Sequence, residues 1–184
     1  TIIAMSAGTA AAYGLSRFGA GGNLPLALIQ LRLFPPMAVM IPVMIMWSFL
    51  NLMDTWWGLA LIYGIVTLPF AFWLMKTFFD DMPREIEEAA LVDGCTRWEV
   101  LWKVVFPMAR TGLFATAVFT FIFAWNDFLF ALVLTRTEVT TYTVQVTHYF
   151  GGQSNFWAKI AAMSVLGTIP VFLICSKASL SLKT

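Results

Sequence analysis

Long apolar stretches without charged side chains alternate with short polar segments along the chain. Within a stretch, polarity does not alternate from residue to residue, so the pattern predicts helices and not β-strands. A helix needs about 17–25 apolar residues to cross the ~30 Å hydrocarbon layer of a membrane. The pattern therefore predicts an all-α integral membrane fold, a polytopic helical bundle with five visible spans, at approximately residues 1–16, 28–53, 55–79, 108–135 and 157–176.

The positions of lysine and arginine predict how these spans are oriented. Nine of the eleven basic residues lie between the first two spans, between the third and fourth, after the fifth, or in the span ends that border these segments. Arg136 and Lys159 lie on the opposite side. The positive-inside rule therefore places the loop at 80–107 and the C-terminus in the cytoplasm.

This orientation would start the chain outside the cell. Since residue 1 is Thr1 and no basic signal-peptide region precedes the apolar stretch, we expect a further helix before it. The full subunit would then have six spans, and residues 1–184 would form a single transmembrane domain. The alternative is that residues 1–16 form a peripheral helix.

The loop at 80–107 departs from the membrane pattern, because it holds seven of the ten acidic residues. Asp81 is a candidate N-cap for a first short helix, and Gly94 suits the left-handed residue that ends it. Thr96 and Glu99 form a capping box that starts a second helix. This helix is expected to end at Pro107, and its apolar face would comprise Trp98, Leu101, Trp102 and Val105.

The same loop resembles the EAA loop of the permease subunits of binding-protein-dependent ATP-binding cassette (ABC) importers. The pattern of that family reads E-A-A-x3-G-x9-I-x-L-P. This chain departs from it by Val for Ile and Phe for Leu, and both replacements are apolar. The matching positions are Glu88, Ala89, Ala90, Gly94, Val104, Phe106 and Pro107.

Three other segments are similar to the carbohydrate-importer permeases, the maltose-transporter type in particular. They are Arg32-Leu33-Phe34-Pro35-Pro36, Leu68-Pro69-Phe70 and Ala124-Trp125-Asn126-Asp127-Phe128. The resemblance fails at residues 176–184, where a basic, glycine-containing tail is expected.

The resemblance implies an inner-membrane permease that is not itself an enzyme and binds no cofactor. ATP and Mg would be held by a separate ATPase dimer. A second permease subunit would complete a heterodimer, and an extracytoplasmic solute-binding protein would deliver a mono- or oligosaccharide for import. Glu88 is expected to pair with a basic group on the ATPase. The coupling residues implied are Glu88, Ala89, Ala90, Asp93, Gly94 and Pro107.

Composition narrows the possible functions. Hydrophobic residues make up 60% of the chain and charged residues 11%, with a net charge of +1, so nucleic acid has no basic surface to bind. One histidine and two widely separated cysteines do not form a metal-ligand pattern, and no metal is expected. The sequence has no G-x-x-x-x-G-K motif, so a P-loop for ATP is excluded.

One acidic residue lies inside the fourth span. Asp127 is ~24 Å along a helix that starts near Thr111, beyond the middle of the membrane. An acid at this depth is costly and usually faces a polar cavity or a partner. Together with Trp125 and Asn126, it forms either a sugar-facing patch on the substrate path or a group that satisfies neighbouring helices and backbone.

Ala4, Gly8 and Ala12 recur at every fourth position of the first span. Such a stripe of small residues is typical of close helix packing, and we interpret it in that way.

Other functions stay open at this point. A different ABC cargo, such as glycerol phosphate or a polyamine, would require more cavity charges than Arg32 and Asp127 provide. A secondary transporter would need intramembrane ionisable groups for ion coupling, and Asp127 alone qualifies. An integral membrane enzyme would need a nucleophile with its base, which His148 by itself does not supply.

Overall fold

The computed structural model describes residues 1–19, 22–33, 35–150 and 156–181, apart from the side chains of 32 and 178–181. The regular elements in this part are helices. In chain order they are α1 (Ile2–Phe18), α2 (Leu24–Leu33), α3 (Pro36–Phe49), α4 (Trp56–Asp80), α5 (Arg84–Val92), α6 (Arg97–Val100), a π-helical turn (Leu101–Val105), α7 (Phe106–Met108), α8 (Arg110–Asn126), α9 (Leu129–Leu134), α10 (Tyr142–Thr147) and α11 (Trp157–Ser181).

Helix α4 is the centre of the fold, because α1, α2, α8 and α9 all pack against it. At 25 residues it is about 37 Å long, enough to cross the hydrocarbon layer. Two clusters of buried side chains lie along it. The cluster near its start includes Trp47, Ile62, Phe130 and Leu134. The cluster near its end includes Phe72, Met75, Phe79 and Val105.

The α1–α4 contact confirms the prediction of close packing from the small-residue stripe. Ala4 and Ala12 are fully buried, and Gly8 is buried between them. A Cβ atom added to Gly8 would lie 3.0 Å from the Cβ of Ala71 and 3.0 Å from the backbone nitrogen of Phe72. Glycine thus allows the two backbones to approach closely.

Two helices in the described part of the chain are long and apolar enough to cross a membrane on their own. They are α4 and the Trp157–Lys177 portion of α11. Two bent pairs of helices also qualify when each is counted as one span, which gives up to four. Helix α1 has 17 residues, at the lower limit for a span, and five spans stay a prediction.

The predicted spans at 28–53 and 108–135 each contain a break that hydropathy does not reveal. The Leu24–Leu31 part of α2 and helix α3 meet at 92°. Pro35 and Pro36 mark this boundary, because the residue before a proline disfavours helix and Pro36 fits the first helical turn. In the other span α8 ends at Asn126 and the backbone is extended at Asp127, before α9 begins.

The predicted helix pair at 80–107 is present, with corrected ends. Asp81 is not the N-cap of the first helix: it ends α4, and Pro83 in extended conformation precedes α5. Pro107 does not stop the second helix, which continues to Met108. The chain then bends by 70° into α8. The π turn explains this continuation, because the amide of Phe106 bonds to the carbonyl of Leu101 and the ladder is rearranged just before the proline.

The π turn also changes which side chains share a face. Val105 is fully buried, whereas Trp98 and Trp102 are 72% and 63% exposed. Val100 and Val105, five residues apart, point into the same core. The prediction of one face with Val105 beside the two tryptophans is therefore wrong, because a π turn advances the helix by an extra residue.

Candidate functional site

Helix α5 carries the Glu88-Ala89-Ala90 segment of the EAA pattern and presents two different faces. Glu87 is buried and Ala90 is half-buried against the membrane helices. Glu88 and Ala89 are exposed on the other side, and Val92 at the end of the helix is 87% exposed. The buried face attaches α5 to this chain, and the exposed face is open to a partner.

A buried ion pair holds α5 against the end of α1. Arg17 Nε lies 2.6 Å from Glu87 Oε1, and the two side chains are 7% and 11% exposed. The Tyr13 hydroxyl donates to the other carboxylate oxygen at 3.3 Å. Arg17 also donates to the carbonyl of Met82 at 3.4 Å, directly before α5. These contacts give the buried charges the partners that they require.

A second set of polar contacts joins the end of α4 to the same corner. The Ser16 hydroxyl donates to Asp80 Oδ1 at 2.7 Å, and Lys76 forms an ion pair with Asp80. Arg84, the first residue of α5, donates to the carbonyl of Ser16 at 2.7 Å. The ends of α1 and α4 and the start of α5 therefore form one connected polar junction.

The turn after α5 confirms the prediction for Gly94. Its φ is +89°, in the left-handed region. The Gly94 amide donates to the carbonyl of Leu91 and the Cys95 amide to that of Ala90, both at 3.1 Å. This is the Schellman arrangement that ends many helices. A Cβ at Gly94 would meet no atom within 4 Å, so the demand for glycine comes from the backbone alone.

The capping box of the second helix is also confirmed. The Thr96 amide donates to Glu99 Oε2 at 2.9 Å, and the Glu99 amide donates to the Thr96 hydroxyl at 3.3 Å. Lys103 Nζ lies 2.8 Å from the other carboxylate oxygen. The hydrogen bond from Lys103, followed by that from the Thr96 amide, lowers the pKa of Glu99 from 4.5 to about 2.

The structure brings five of the six predicted coupling residues together in α5 and its C-terminal turn. These are Glu88, Ala89, Ala90, Asp93 and Gly94. Pro107 lies apart from them, exposed in α7 beyond the π turn. It belongs to the connection with α8 and not to the exposed face of α5.

The predicted substrate-path residues lie at the other end of α8, about 24 Å from its start. The Trp125 indole nitrogen donates to the carbonyl of Gly167 in α11 at 2.9 Å. The Trp125 ring stacks with those of Phe121 and Tyr142. A Cβ at Gly167 would lie 2.4 Å from the Tyr142 ring, so this junction requires a glycine. Trp125 thus fastens α8 to α10 and α11.

Asn126 and Asp127 sit at the break between α8 and α9. Asp127 Oδ1 accepts from the Phe130 amide at 3.1 Å, which caps α9. Asn126 is exposed; its amide nitrogen donates to the Ile122 carbonyl, and its oxygen accepts from the Tyr142 hydroxyl, both at 2.9 Å. Of the three predicted path residues, Asn126 keeps the most accessible polar group.

Sequence reasoning missed Asp54, in the turn between α3 and α4. Its carboxylate accepts from the amides of four consecutive residues in the α9–α10 segment, at 2.8–3.1 Å: Arg136, Thr137, Glu138 and Val139. These hydrogen bonds, that from Glu138 first, hold the pKa of Asp54 well below its usual value. An acid in a short turn between two apolar stretches is the signal that could have indicated it.

A metal centre is not formed by the part of the chain that the structure describes, where histidine, cysteine and acidic side chains do not gather in groups of three. The cluster on α5 and the cluster at the α8–α9 break contain no nucleophile paired with a base. Their geometry suits binding and mechanical contact.

Comparison with known proteins places this geometry in a family. Residues 4–183 match the family described as binding-protein-dependent transport system inner membrane component. The chain is 36% identical over 178 residues to the trehalose transport system permease protein of Mycobacterium tuberculosis, covering 94% of this chain and 65% of that protein. It is 30% identical over 178 residues to the trehalose/maltose transport system permease protein of Thermococcus litoralis, covering 95% and 64%.

A third relative is the sulfoquinovosyl glycerol transport system permease protein of Agrobacterium fabrum, 35% identical over 167 residues, with 89% of this chain and 59% of the relative covered. The chain thus spans less than two thirds of the length of these relatives. With its all-α membrane fold and its EAA-type loop, the chain belongs to the family of binding-protein-dependent transport system inner membrane components.

Proposed function

We propose that this chain is a permease subunit of an ABC importer and that α5 docks into a separate ATPase subunit. The observation that carries the proposal is the pair of faces on α5. One face is anchored through the Arg17–Glu87 ion pair, while Glu88, Ala89 and Val92 are left exposed. Small and apolar exposed residues allow a second protein to approach this helix closely.

The proposed coupling is mechanical. Because α5 is connected to the ends of both α1 and α4, a displacement of α5 reaches two membrane helices at once. The rigid Schellman turn at Gly94 and the capping box after it transmit the same displacement towards α8. ATP-driven closure of an ATPase dimer would then rock the helices between inward- and outward-facing states. ATP and Mg would be held by the ATPase, with Glu88 paired to one of its basic groups.

The proposed cargo is a sugar. Support comes from relatives whose names state transport of trehalose, maltose and sulfoquinovosyl glycerol. A second permease subunit would complete the path, and an extracytoplasmic solute-binding protein would deliver the sugar. Within this chain, we assign the sugar contact to the exposed amide of Asn126, with Trp125 and Asp127 as positioning residues that hold the α8–α9 break open.

Replacing Gly94 with valine tests the coupling step. Valine cannot adopt φ near +89° without strain, so α5 should lose its fixed position relative to α6. In vesicles that contain the complete importer, we expect uptake to fall at least tenfold while ATP hydrolysis continues. Gly94→Asn is the matched control, since asparagine tolerates the left-handed region, and it should keep most of the uptake. Full uptake with valine would overturn the coupling role.

Replacing Asn126 with alanine tests the sugar contact. We expect a several-fold higher KM for uptake of labelled trehalose with an unchanged coupling ratio, because the polar contact is lost and α5 is untouched. Ile122→Ala, one turn earlier, is the control for general disturbance of α8. An equal effect of both variants would contradict a specific role for Asn126. Uptake of glycerol phosphate or spermidine in place of a sugar would contradict the cargo.

A further inference from the structure

A large groove runs between α1, the second helix of the loop (Arg97–Met108, comprising α6, the π turn and α7) and α8. Its volume is about 1140 Å³, above the ~300–1,000 Å³ of a typical small-molecule pocket. Its walls are mainly apolar, with Met5, Tyr13, Leu101, Phe106 and Phe114 among the residues that form them. Such walls suit hydrocarbon and not a sugar, so the groove is separate from the proposed substrate path.

The charged side chains that line the groove are two arginines, without an acidic residue beside them. Arg97 is the first residue of α6 and Arg110 the first of α8, so the two arginines flank the second helix of the loop, on the side of the groove next to that helix. Neither forms an ion pair within the described residues. The Arg97 guanidinium carbon lies over the Phe18 ring, 5.5 Å from its centroid. A contact with a ring face uses no N–H donor, so the donors of Arg97 can still bind an anion.

Two tryptophans mark the depth of this end of the groove. Trp98 and Trp102 line it and are 72% and 63% exposed, and Trp102 stacks on Phe106 with ring centroids 4.7 Å apart. Exposed indoles are typical of the level where lipid headgroups meet the hydrocarbon layer. From this level the groove follows α1, which is about 25 Å long, for more than the ~15 Å half-thickness of the hydrocarbon layer.

We propose that this groove binds one anionic phospholipid from the leaflet on the side of the loop. Its phosphate would lie at the end of the groove that Arg97 and Arg110 line, and an acyl chain would lie along α1 and α8 against Met5 and Phe114. Basic pockets between membrane helices are known binding sites for anionic headgroups, and arginine binds phosphate with two parallel hydrogen bonds. The lipid would rest on the second helix of the loop and so on the element that joins α5 to α8. The proposal depends on the membrane fold, and neither the ATPase nor the sugar enters it.

Quenching of tryptophan fluorescence by brominated lipids tests the proposal. The full chain is reconstituted in phosphatidylcholine vesicles that contain increasing fractions of brominated phosphatidylglycerol or brominated phosphatidylcholine. Subtracting the signal of Trp98→Phe/Trp102→Phe isolates these two of the eight tryptophans. We expect the isolated signal to show roughly tenfold preference for phosphatidylglycerol, as two arginines at the headgroup level of the groove would give.

The variant Arg97→Gln/Arg110→Gln should lower this preference to near one, and Arg97→Lys/Arg110→Lys should keep most of it. Arg136→Gln, exposed on the opposite side of the fold, is the control and should leave it unchanged. If the double glutamine variant does not fold, as judged by size-exclusion chromatography, the single variants Arg97→Gln and Arg110→Gln are measured instead. Each should lower the preference for phosphatidylglycerol about threefold. Equal quenching by both lipids in the wild type, or an unchanged preference in the variants, would overturn the proposal. Absence of quenching by either lipid would overturn it as well, because the groove would then be filled by protein.

Discussion

At the scale of single residues, Asp54 has a larger structural role than its position in a turn indicates. Its φ is +55°, and its amide donates to the Leu134 carbonyl at 2.8 Å. Its carboxylate meanwhile accepts from the amides of residues 136–139. One side chain thereby ties the α3–α4 turn to the α9–α10 segment, across more than 80 residues of sequence. A carboxylate is suited to this role, since it offers acceptors alone to a set of donors.

Asp54→Asn should lower the melting temperature by about 2–4 °C. An amide of the same size would point an N–H group at backbone N–H groups. Since the fold depresses the pKa of Asp54, this stabilisation is present above its ordinary value of 3.8 and is lost as the pH falls below it. Thermal unfolding in detergent from pH 7 to pH 3 measures both effects. The melting temperature of the wild type should approach that of the variant as the pH falls. If the difference between the two melting temperatures stayed constant, the role of the charge would be contradicted.

At the scale of elements, the two adjacent glutamates of α5 have different roles because the helix turns by about 100° per residue. Glu87 points into the junction with Arg17 and Tyr13, and Glu88 points away from it. The resemblance to the E-A-A pattern singles out Glu88, but the sequence indicates no partner for Glu87. That partner depends on where α1 ends, which is a tertiary feature.

Glu87→Gln should destabilise the protein by about 3 kcal/mol, because it leaves the buried Arg17 without its charge partner. Glu88→Gln should change stability by less than about 0.5 kcal/mol, since Glu88 is exposed, yet should weaken binding of the proposed ATPase partner. Urea unfolding and pull-down of the ATPase measure the two effects. The double variant Arg17→Gln/Glu87→Gln should recover part of the loss. If Glu88→Gln proved the more destabilising, the assignment of the two faces would be wrong.

At the scale of the whole molecule, the polar contacts divide between two ends of the helical bundle. The α1–α4–α5 junction lies at one end, and the Asp54 contacts with residues 136–139 lie at the other. The charge pattern predicts that the first end faces the cytoplasm. The 25-residue helix α4 connects both ends, so its length sets their separation at about 37 Å.

Cysteine labelling tests this orientation. In a Cys95→Ser/Cys175→Ser background, Glu138→Cys should react with a membrane-impermeant maleimide in intact spheroplasts. Lys103→Cys should react only after lysis, because it lies in the loop on the other side of the membrane. Both positions are exposed, so accessibility within the fold is matched. Labelling of Lys103→Cys in intact spheroplasts would contradict the proposed orientation, because it would place the loop outside the cell.

Local interactions account for what the sequence alone determined. Continuous apolar stretches predicted the all-α membrane fold. In a membrane the backbone N–H and C=O groups cannot bond to water, and a helix pairs them within a single segment. Gly94 and the Thr96–Glu99 box could be predicted because each acts within a few residues of itself. The stripe of Ala4, Gly8 and Ala12 predicted close packing, although the partner helix could not be named.

What only the tertiary structure decided involves residues far apart in sequence or a change of helical register. The break at Asp127 and the π turn at Leu101–Val105 change the helical register without a proline at the position itself, so local sequence did not predict them. The partners of Arg17, Asp54 and Trp125 lie 42 to 85 residues away, and hydropathy does not distinguish among candidates at that range. Sequence thus determined which segments are helical and, at Gly94 and the Thr96–Glu99 box, how a helix ends and the next begins. The folded structure determined which polar side chains hold the helices together, because those contacts form only once the helices have packed.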